Sequence, residues 1–237
     1  TKDMIDFMQD AARYGSYQQE LADWICEELP DAKHVCDAGC GLGFLSEHLC
    51  RRSPHVTAAD ISDGALSRLR NWKAEENVSN LEIRQEDLLA FTPDESYDAM
   101  VFCLFGRMGE ILRIAKRCGA GTVVVVKKAY THHRFSVSNV PLQDETTEQA
   151  AAFLKAHGVP FTLETREFDM GQPLKTLEDA MRFFRAYSKD APGALTREAV
   201  LRKLTETGDE AFPYYVPQRR SLGRFTIHTG NIPEEFA

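Results

Sequence analysis

Apolar residues fall in short blocks along this chain, and their spacing switches repeatedly between a strand-like and a helix-like period. The blocks predict strands over 34–38, 56–60, 80–84, 98–103, 121–127, 161–168 and 222–229. Between them, helices fit 18–29, 42–51, 64–75, 107–117 and 146–157, the last opened by Thr146 with Gln149 at the capping-box spacing. Gly121-Thr122-Val123-Val124-Val125-Val126 is the clearest central strand, apolar throughout as one covered on both faces must be. Strand and helix alternating in this way predict an α/β fold: an open, mostly parallel sheet with helices on both faces. About fifty residues, 171–221, separate the last two strands where a short hairpin would be enough. Thr176 with Asp179 marks a helix start there, Leu177 to Tyr187 has helical spacing, and Thr196 to Thr205 supplies a second helix. No repeat, low-complexity run or linker appears, so one domain over 1–237 is expected, with a helical region at 1–30 and a helical insertion at 171–221.

The segment Asp37-Ala38-Gly39-Cys40-Gly41-Leu42-Gly43 follows the first apolar strand and precedes a helical pattern beginning at Phe44. Glycines at alternate positions behind a carboxylate make a backbone that bends sharply and lies close to a ligand. A dinucleotide fingerprint needs glycine at its first, third and sixth positions, and the sixth from Gly39 is Phe44. The expected ligand is therefore a nucleoside, and a dehydrogenase is disfavoured. The next strand ends in Asp60, whose two oxygens suit the neighbouring hydroxyls of a ribose, with Ile61 placed to stack on a purine. The third ends in Asp87 and Leu88, the acid placed to accept from an adenine amino group, and the fourth runs through Phe102 and Cys103 to floor the same crevice. Each residue also has a plainer reading. Asp60 suits a cap for the helix beginning near Ala65, Asp87 suits a solvated turn, and Asp98, early in its strand, suits a structural cap.

This ordered set resembles the class I S-adenosylmethionine-dependent methyltransferases over about residues 20–130. The resemblance implies a Rossmann-like seven-stranded sheet with the last strand antiparallel, and S-adenosyl-L-methionine as cofactor. It implies cofactor contacts at Asp37, Gly39, Gly41, Gly43, Asp60, Ile61, Asp87, Leu88, Phe102 and Cys103. It also implies that the 171–221 insertion covers the open edge of the sheet and shapes the substrate pocket, the alternative being a structural buttress.

Ligands of open α/β sheets bind outside the carboxyl ends of the strands, so the acceptor is expected near the loop after the fifth strand, Ala129 to Phe135. Tyr130 there is a substrate candidate, and His132 and His133 are candidates for a general base. Neighbouring side chains of an extended chain point oppositely, so at most one histidine faces the pocket. Surface histidines are the alternative. Tyr14 and Tyr17, placed just before the first helix, are candidates to close the site or ordinary packing residues, as Trp24 and Ile25 are expected to be.

Thirty-six acidic residues against 28 basic ones, a formal charge of −8, argue against a nucleic-acid substrate. The basic pairs Arg51-Arg52, Lys127-Lys128 and Arg219-Arg220 are short and read as solvated edges, although Lys127-Lys128 ends a strand and is placed to border the crevice and meet an anionic group. The six cysteines show no zinc spacing and read as reduced packing residues, with no metal expected; Cys40 is a small filler rather than a nucleophile. No apolar run is long enough for a bilayer span and no signal sequence opens the chain, so the expected compartment is the cytoplasm. The expected function is methyl transfer to a small molecule. A protein methyltransferase and a non-catalytic adenosyl-binding regulator are the alternatives.

Overall fold

The computed structural model describes residues 2–90, 93, 96–191 and 193–237; Pro192, inside the expected insertion, lies outside the described residues. In chain order the elements are α1 (Lys2–Tyr14), α2 (Tyr17–Cys26), β1 (His34–Ala38), α3 (Phe44–Leu49), β2 (His55–Asp60), α4 (Asp63–Glu75), β3 (Leu81–Gln85), β4 (Ala99–Cys103), α5 (Met108–Arg117) and β5 (Thr122–Lys128). They continue with α6 (Thr147–Ala156), β6 (Thr162–Asp169), β7 (Gln172–Leu174), α7 (Leu177–Tyr187), α8 (Arg197–Leu201), β8 (Thr205–Glu206), β9 (Tyr214–Val216) and β10 (Arg219–His228).

Two compact units emerge from this order. One holds Gln18–Ala129, Glu145–Arg166 and Leu222–Ala237; the other holds Thr1–Tyr17, Tyr130–Asp144 and Glu167–Ser221. The first unit is built on a seven-stranded sheet ordered β3-β2-β1-β4-β5-β10-β6, six strands parallel and β10, the last in the chain, antiparallel. Strong apolar strands take its middle: Val123 to Val126 of β5 are fully buried, flanked by Ala99 to Phe102 of β4. The core on one side gathers Met108, Ile111, Leu112 and Ala115 of α5, Ala150 and Leu154 of α6, and Phe225 and Ile227 of β10. Thr146 caps α6 as expected, its hydroxyl accepting from Gln149 N while Gln149 Oε1 accepts from Thr146 N. Asp98 is structural, accepting from the backbone of Lys33 (2.8 Å) and His34 (2.9 Å), which draws its pKa below the usual carboxylate value. Trp24 and Ile25 are fully buried packing residues.

The second unit departs from the simple helical insertion read in the sequence. Its core joins Phe7 of α1, Phe135, Leu174, and Phe183 and Phe184 of α7, with Phe183 edge-on to Phe7 (5.3 Å) and Phe135 (4.7 Å). A small antiparallel sheet, β7-β9-β8, lies within it. The predicted second helix is confined to Arg197–Leu201, and Thr205 pairs in β8 instead, its hydroxyl donating to Tyr215 O (3.2 Å). The N-terminal region is two helices, so Tyr14 ends α1 and Tyr17 begins α2; neither precedes a first helix.

Candidate functional site

The strand order places a topological switch at β1 and β4: the chain runs outward from β1 to β2 and β3, then returns to β4 on the other side. Loops leaving the carboxyl ends of such neighbouring strands diverge and leave a crevice. Here they are the glycine turn after β1 and Leu104–Arg107 after β4.

Local chemistry shapes the turn. Gly39, Gly41 and Gly43 have φ of +76°, +55° and +80°. A Cβ on Gly39 would stand 2.4 Å from the Phe105 ring, and one on Gly43 would stand 2.5 Å from Leu69. A Cβ on Gly41 would meet nothing within 4 Å, so that glycine faces open space. Its N–H donates to Asp60 Oδ2 (2.8 Å), while Gly39 N and Cys40 N both donate to Ala59 O (2.8 and 3.1 Å). The turn is thereby bound to the end of β2. Phe44 is buried where a dinucleotide fold would need glycine, with the Arg68 guanidinium 3.9 Å above its ring. Arg68 also pairs with Glu47 and donates to Leu42 O (3.0 Å), pinning α3 to α4.

Asp37 lies beneath the turn, 1% exposed, accepting from Ser46 Oγ (2.5 Å). Burial lifts its pKa from an ordinary 3.8 to about 6, the Ser46 hydrogen bond working against that and the Asp60 charge adding to it. Asp60 accepts twice, from Gly41 N and from Ser62 N (2.9 Å). A carboxylate offers about four acceptor positions, so two are left for the hydroxyls of a ligand. The helix-cap alternative for Asp60 is corrected: Ser62 is the N-cap of α4, accepting from Ala65 N. Ile61 beside it is 66% exposed. Asp87 is exposed and accepts from Leu89 N (3.0 Å) through Oδ1, while its Oδ2 has no partner among the described residues, so a turn role leaves an acceptor open. Leu88 is buried at 4%. Phe102 is fully buried in the core, main chain included, whereas Cys103 is partly exposed. Burial pushes the Cys40 and Cys103 thiols far above their ordinary value, which suits fillers and not nucleophiles.

The loop after β4 is strained and clamped. Leu104 has φ +56°, unusual for a branched side chain, and Gly106 has +64°. Phe105 between them stacks on Phe102 (6.4 Å, 17°) and covers Gly39. Lys127 at the end of β5 is 3% exposed, and here the sequence reading is corrected. It does not border a crevice as a free cation: Nζ donates to Gly106 O (2.5 Å) and pairs with Glu145 (2.9 Å). Glu145 Oε2 also accepts from Met108 N (2.8 Å) at the start of α5. One buried ion pair thus grips the loop at both flanks of Arg107. Phe105, Ser46 and Glu145 were invisible to pattern reading, because nothing local marks a residue whose partner arrives from another strand.

Every acceptor-side candidate belongs to the second unit. Tyr14 packs on Phe212 (5.5 Å) and Tyr215 (5.6 Å), and Tyr17 on Phe168 (5.8 Å). His132 is exposed, with Nδ1 3.0 Å from Thr131 Oγ1. His133 is held more tightly, by Ser136 Oγ (3.1 Å) at its ring and Val140 O (2.8 Å) at its main chain. Asp190 staples this loop by accepting from the Ser138 hydroxyl, from Ser188 Oγ (2.7 Å), and from Ser138 N (2.9 Å) and Val137 N (2.8 Å); burial opposes its charge, but these bonds outweigh it and hold its pKa down to about 2. Tyr130 is largely buried, which raises its pKa. Among the described residues no helix is long and apolar enough to cross a membrane, and no cluster of three or more His, Cys, Asp or Glu side chains could hold a metal ion.

Residues 35–118 match the methyltransferase domain family. A ubiquinone biosynthesis O-methyltransferase of Coxiella burnetii is 32% identical over 90 residues, which take in 37% of this chain and 38% of that protein. The chain thus matches well under half the length of such curated relatives. Among solved structures, the YcgJ protein of Bacillus subtilis superposes with a TM-score of 0.53 at 11% identity, covering 87% of this chain and 98% of that one. A magnesium protoporphyrin IX methyltransferase of Synechocystis, solved with bound SAH, does so with 0.50 at 15% identity, covering 88% and 80%. At these identities the structures speak for the fold alone.

Proposed function

We propose, from the match of residues 35–118 to the methyltransferase domain family, that this chain is a class I enzyme that transfers a methyl group from S-adenosyl-L-methionine to a small-molecule acceptor in the cytoplasm. The observation that carries the reading is the glycine turn bound through Gly41 to Asp60 at the switch between β1 and β4. The residues fit an adenosyl group: Gly41 faces open space, and Asp60 keeps acceptor capacity for two hydroxyls. Asp60 would hold the ribose, Ile61 the purine face, Asp87 the amino group, and the turn from Asp37 to Gly43 with Leu88, Phe102 and Cys103 would line the rest. The match of residues 35–118 to the methyltransferase domain family supports the same cofactor.

The cofactor supplies an activated sulfonium methyl, and the chain's own task is alignment and exclusion of water. The Lys127–Glu145 pair fixes the loop that carries Phe105, so that wall is rigid before any ligand arrives. A base is needed only where the acceptor must lose a proton, and His132 or His133 would supply it. Their loop, the 171–221 segment, Tyr14, Tyr17 and Tyr130 are the acceptor-side candidates in this proposal. The test is calorimetric titration with S-adenosylhomocysteine and NAD, followed by transfer of labelled methyl from S-adenosyl-L-methionine into a metabolite extract. Binding of the first ligand with a labelled small product is expected. NAD binding alone overturns the cofactor assignment, and cofactor binding without any labelled product overturns the catalytic one.

A further inference from the structure

Two buried polar atoms near the start of β10 are left unmatched by the fold. Gln218 is 8% exposed, and neither its Oε1 nor the Nε of the largely buried Arg220 has a hydrogen-bond partner among the described residues. Unsatisfied buried polar groups are uncommon because each forfeits its hydration, and a donor and an acceptor left together need explanation. Exposure alternates along buried Gln218, exposed Arg219 and largely buried Arg220, so Gln218 and Arg220 lie on one side of the extended chain. The basic pair read in the sequence as a solvated edge is therefore split, with Arg220 turned inward.

The surroundings of Arg220 are cationic and aromatic. Its guanidinium carbon lies 5.7 Å from the ring centre of Tyr130, and Nη1 donates to the carbonyl of Arg219 (3.2 Å). Arg134 is bound to the same corner: Nη1 donates to Met170 O (3.0 Å), while Met170 N donates to Gln218 O (2.9 Å). Tyr130 feels the charges of Arg134, Arg220 and Asp144. Among the described residues neither arginine is paired with a carboxylate, in a chain with eight more acids than bases. Largely buried guanidinium groups are normally paired.

We propose that Gln218, Arg220 and Tyr130, with the added charge of Arg134, form a recognition subsite for a small organic carboxylate that also carries a hydroxyl or amino donor. The guanidinium takes the planar carboxylate, and the donor satisfies Gln218 Oε1. A phosphate dianion fits less well, since it brings no donor and sets its charge against the Gln218 lone pairs. The assignment of this subsite to the methyl acceptor rests on the methyl-transfer reading; the anion binding itself does not.

Titration of the full chain with 3-hydroxybenzoate, its neutral methyl ester and inorganic phosphate tests this, with S-adenosylhomocysteine titrated into the same samples. The acid is expected to bind at least tenfold more tightly than the ester or phosphate. Arg220→Met should weaken the acid by about tenfold to a hundredfold, the range of a charge-assisted hydrogen bond, and Arg220→Lys should restore part of it. Gln218→Met should lower affinity for 3-hydroxybenzoate but not for benzoate. An unchanged circular-dichroism spectrum and thermal melt show that the variants are folded, and Arg220→Lys serves should Arg220→Met fail to fold. No binding of the acid, equal binding of ester or phosphate, or an indifferent Arg220→Met overturns the subsite. Acid binding without any response to S-adenosylhomocysteine instead leaves the subsite standing and removes its link to methyl transfer.

Discussion

Removing the carboxylate of Glu145 should be among the most damaging single changes available in the first unit. Glu145→Ala leaves Lys127, 3% exposed, with a buried charge and no counter-ion, and strips the acceptor from Met108 N at the start of α5. Breaking one side of a buried pair costs about 3–5 kcal/mol, most of it the stranded charge. The change Lys127→Met with Glu145→Gln removes both charges and keeps an acceptor for Met108 N, so it should cost no more than about 1 kcal/mol. Both tryptophans, Trp24 and Trp72, fall in the same unit as the pair, so their fluorescence follows the unfolding of that unit alone. With a urea slope of about 2 kcal/mol per molar, Glu145→Ala should move the midpoint down by about 1.5–2.5 M and the double variant by about 0.5 M or less. A shift under about 0.5 M for Glu145→Ala, or a double variant as weak as the single one, would refute the clamp.

Gly41→Ala should separate binding from folding: its Cβ meets nothing, so only the positive φ costs stability, about 1 kcal/mol, while S-adenosylhomocysteine affinity falls at least tenfold. Gly39→Ala should destabilise more through the Phe105 clash, and adding Phe105→Ala should recover part of that loss in a thermal melt. Asp37 is protonated in the folded state up to about pH 6 and ionises near 3.8 when unfolded, so the folded form holds the extra proton between those values. Its stabilising contribution is complete below about pH 4 and lost as pH rises to about 6, in all about 3 kcal/mol. Asp37→Asn should therefore gain stability relative to the parent chain across that window in urea titrations, and a constant difference would count against a shifted Asp37. For an acceptor that must be deprotonated, alanine at His132 or His133 should lower kcat by about a hundredfold or more with KM for the cofactor unchanged. Full turnover in both variants ends the base assignment.

Much of the sheet is legible in the sequence alone, because a strand or helix announces itself within about five to fifteen residues. Val123 to Val126 read as a strand covered on both faces, and the glycines behind Asp37 as a sharp turn, to which the structure adds the positive φ values. The same locality exposed Asp60 and Asp87, since each ends its own strand or the turn just beyond it. Asp98 showed itself as a cap for a similar reason.

Tertiary structure alone decided how distant segments share burial and charge. The N-terminal helix belongs with residues 171–221 because Phe7 needs the apolar wall of α7, and Gln172 donates to Phe7 O across 165 positions (3.0 Å). Lys127 looked like an exposed strand end until Glu145, Gly106 and Met108 closed around it. Arg220 looked like half of a solvated pair until the alternation of the chain turned it inward beside Tyr130. The physical reason is common to all three: hydrophobic periodicity reports which face of an element is buried, whereas the sign and pairing of a buried charge depend on which other element arrives there.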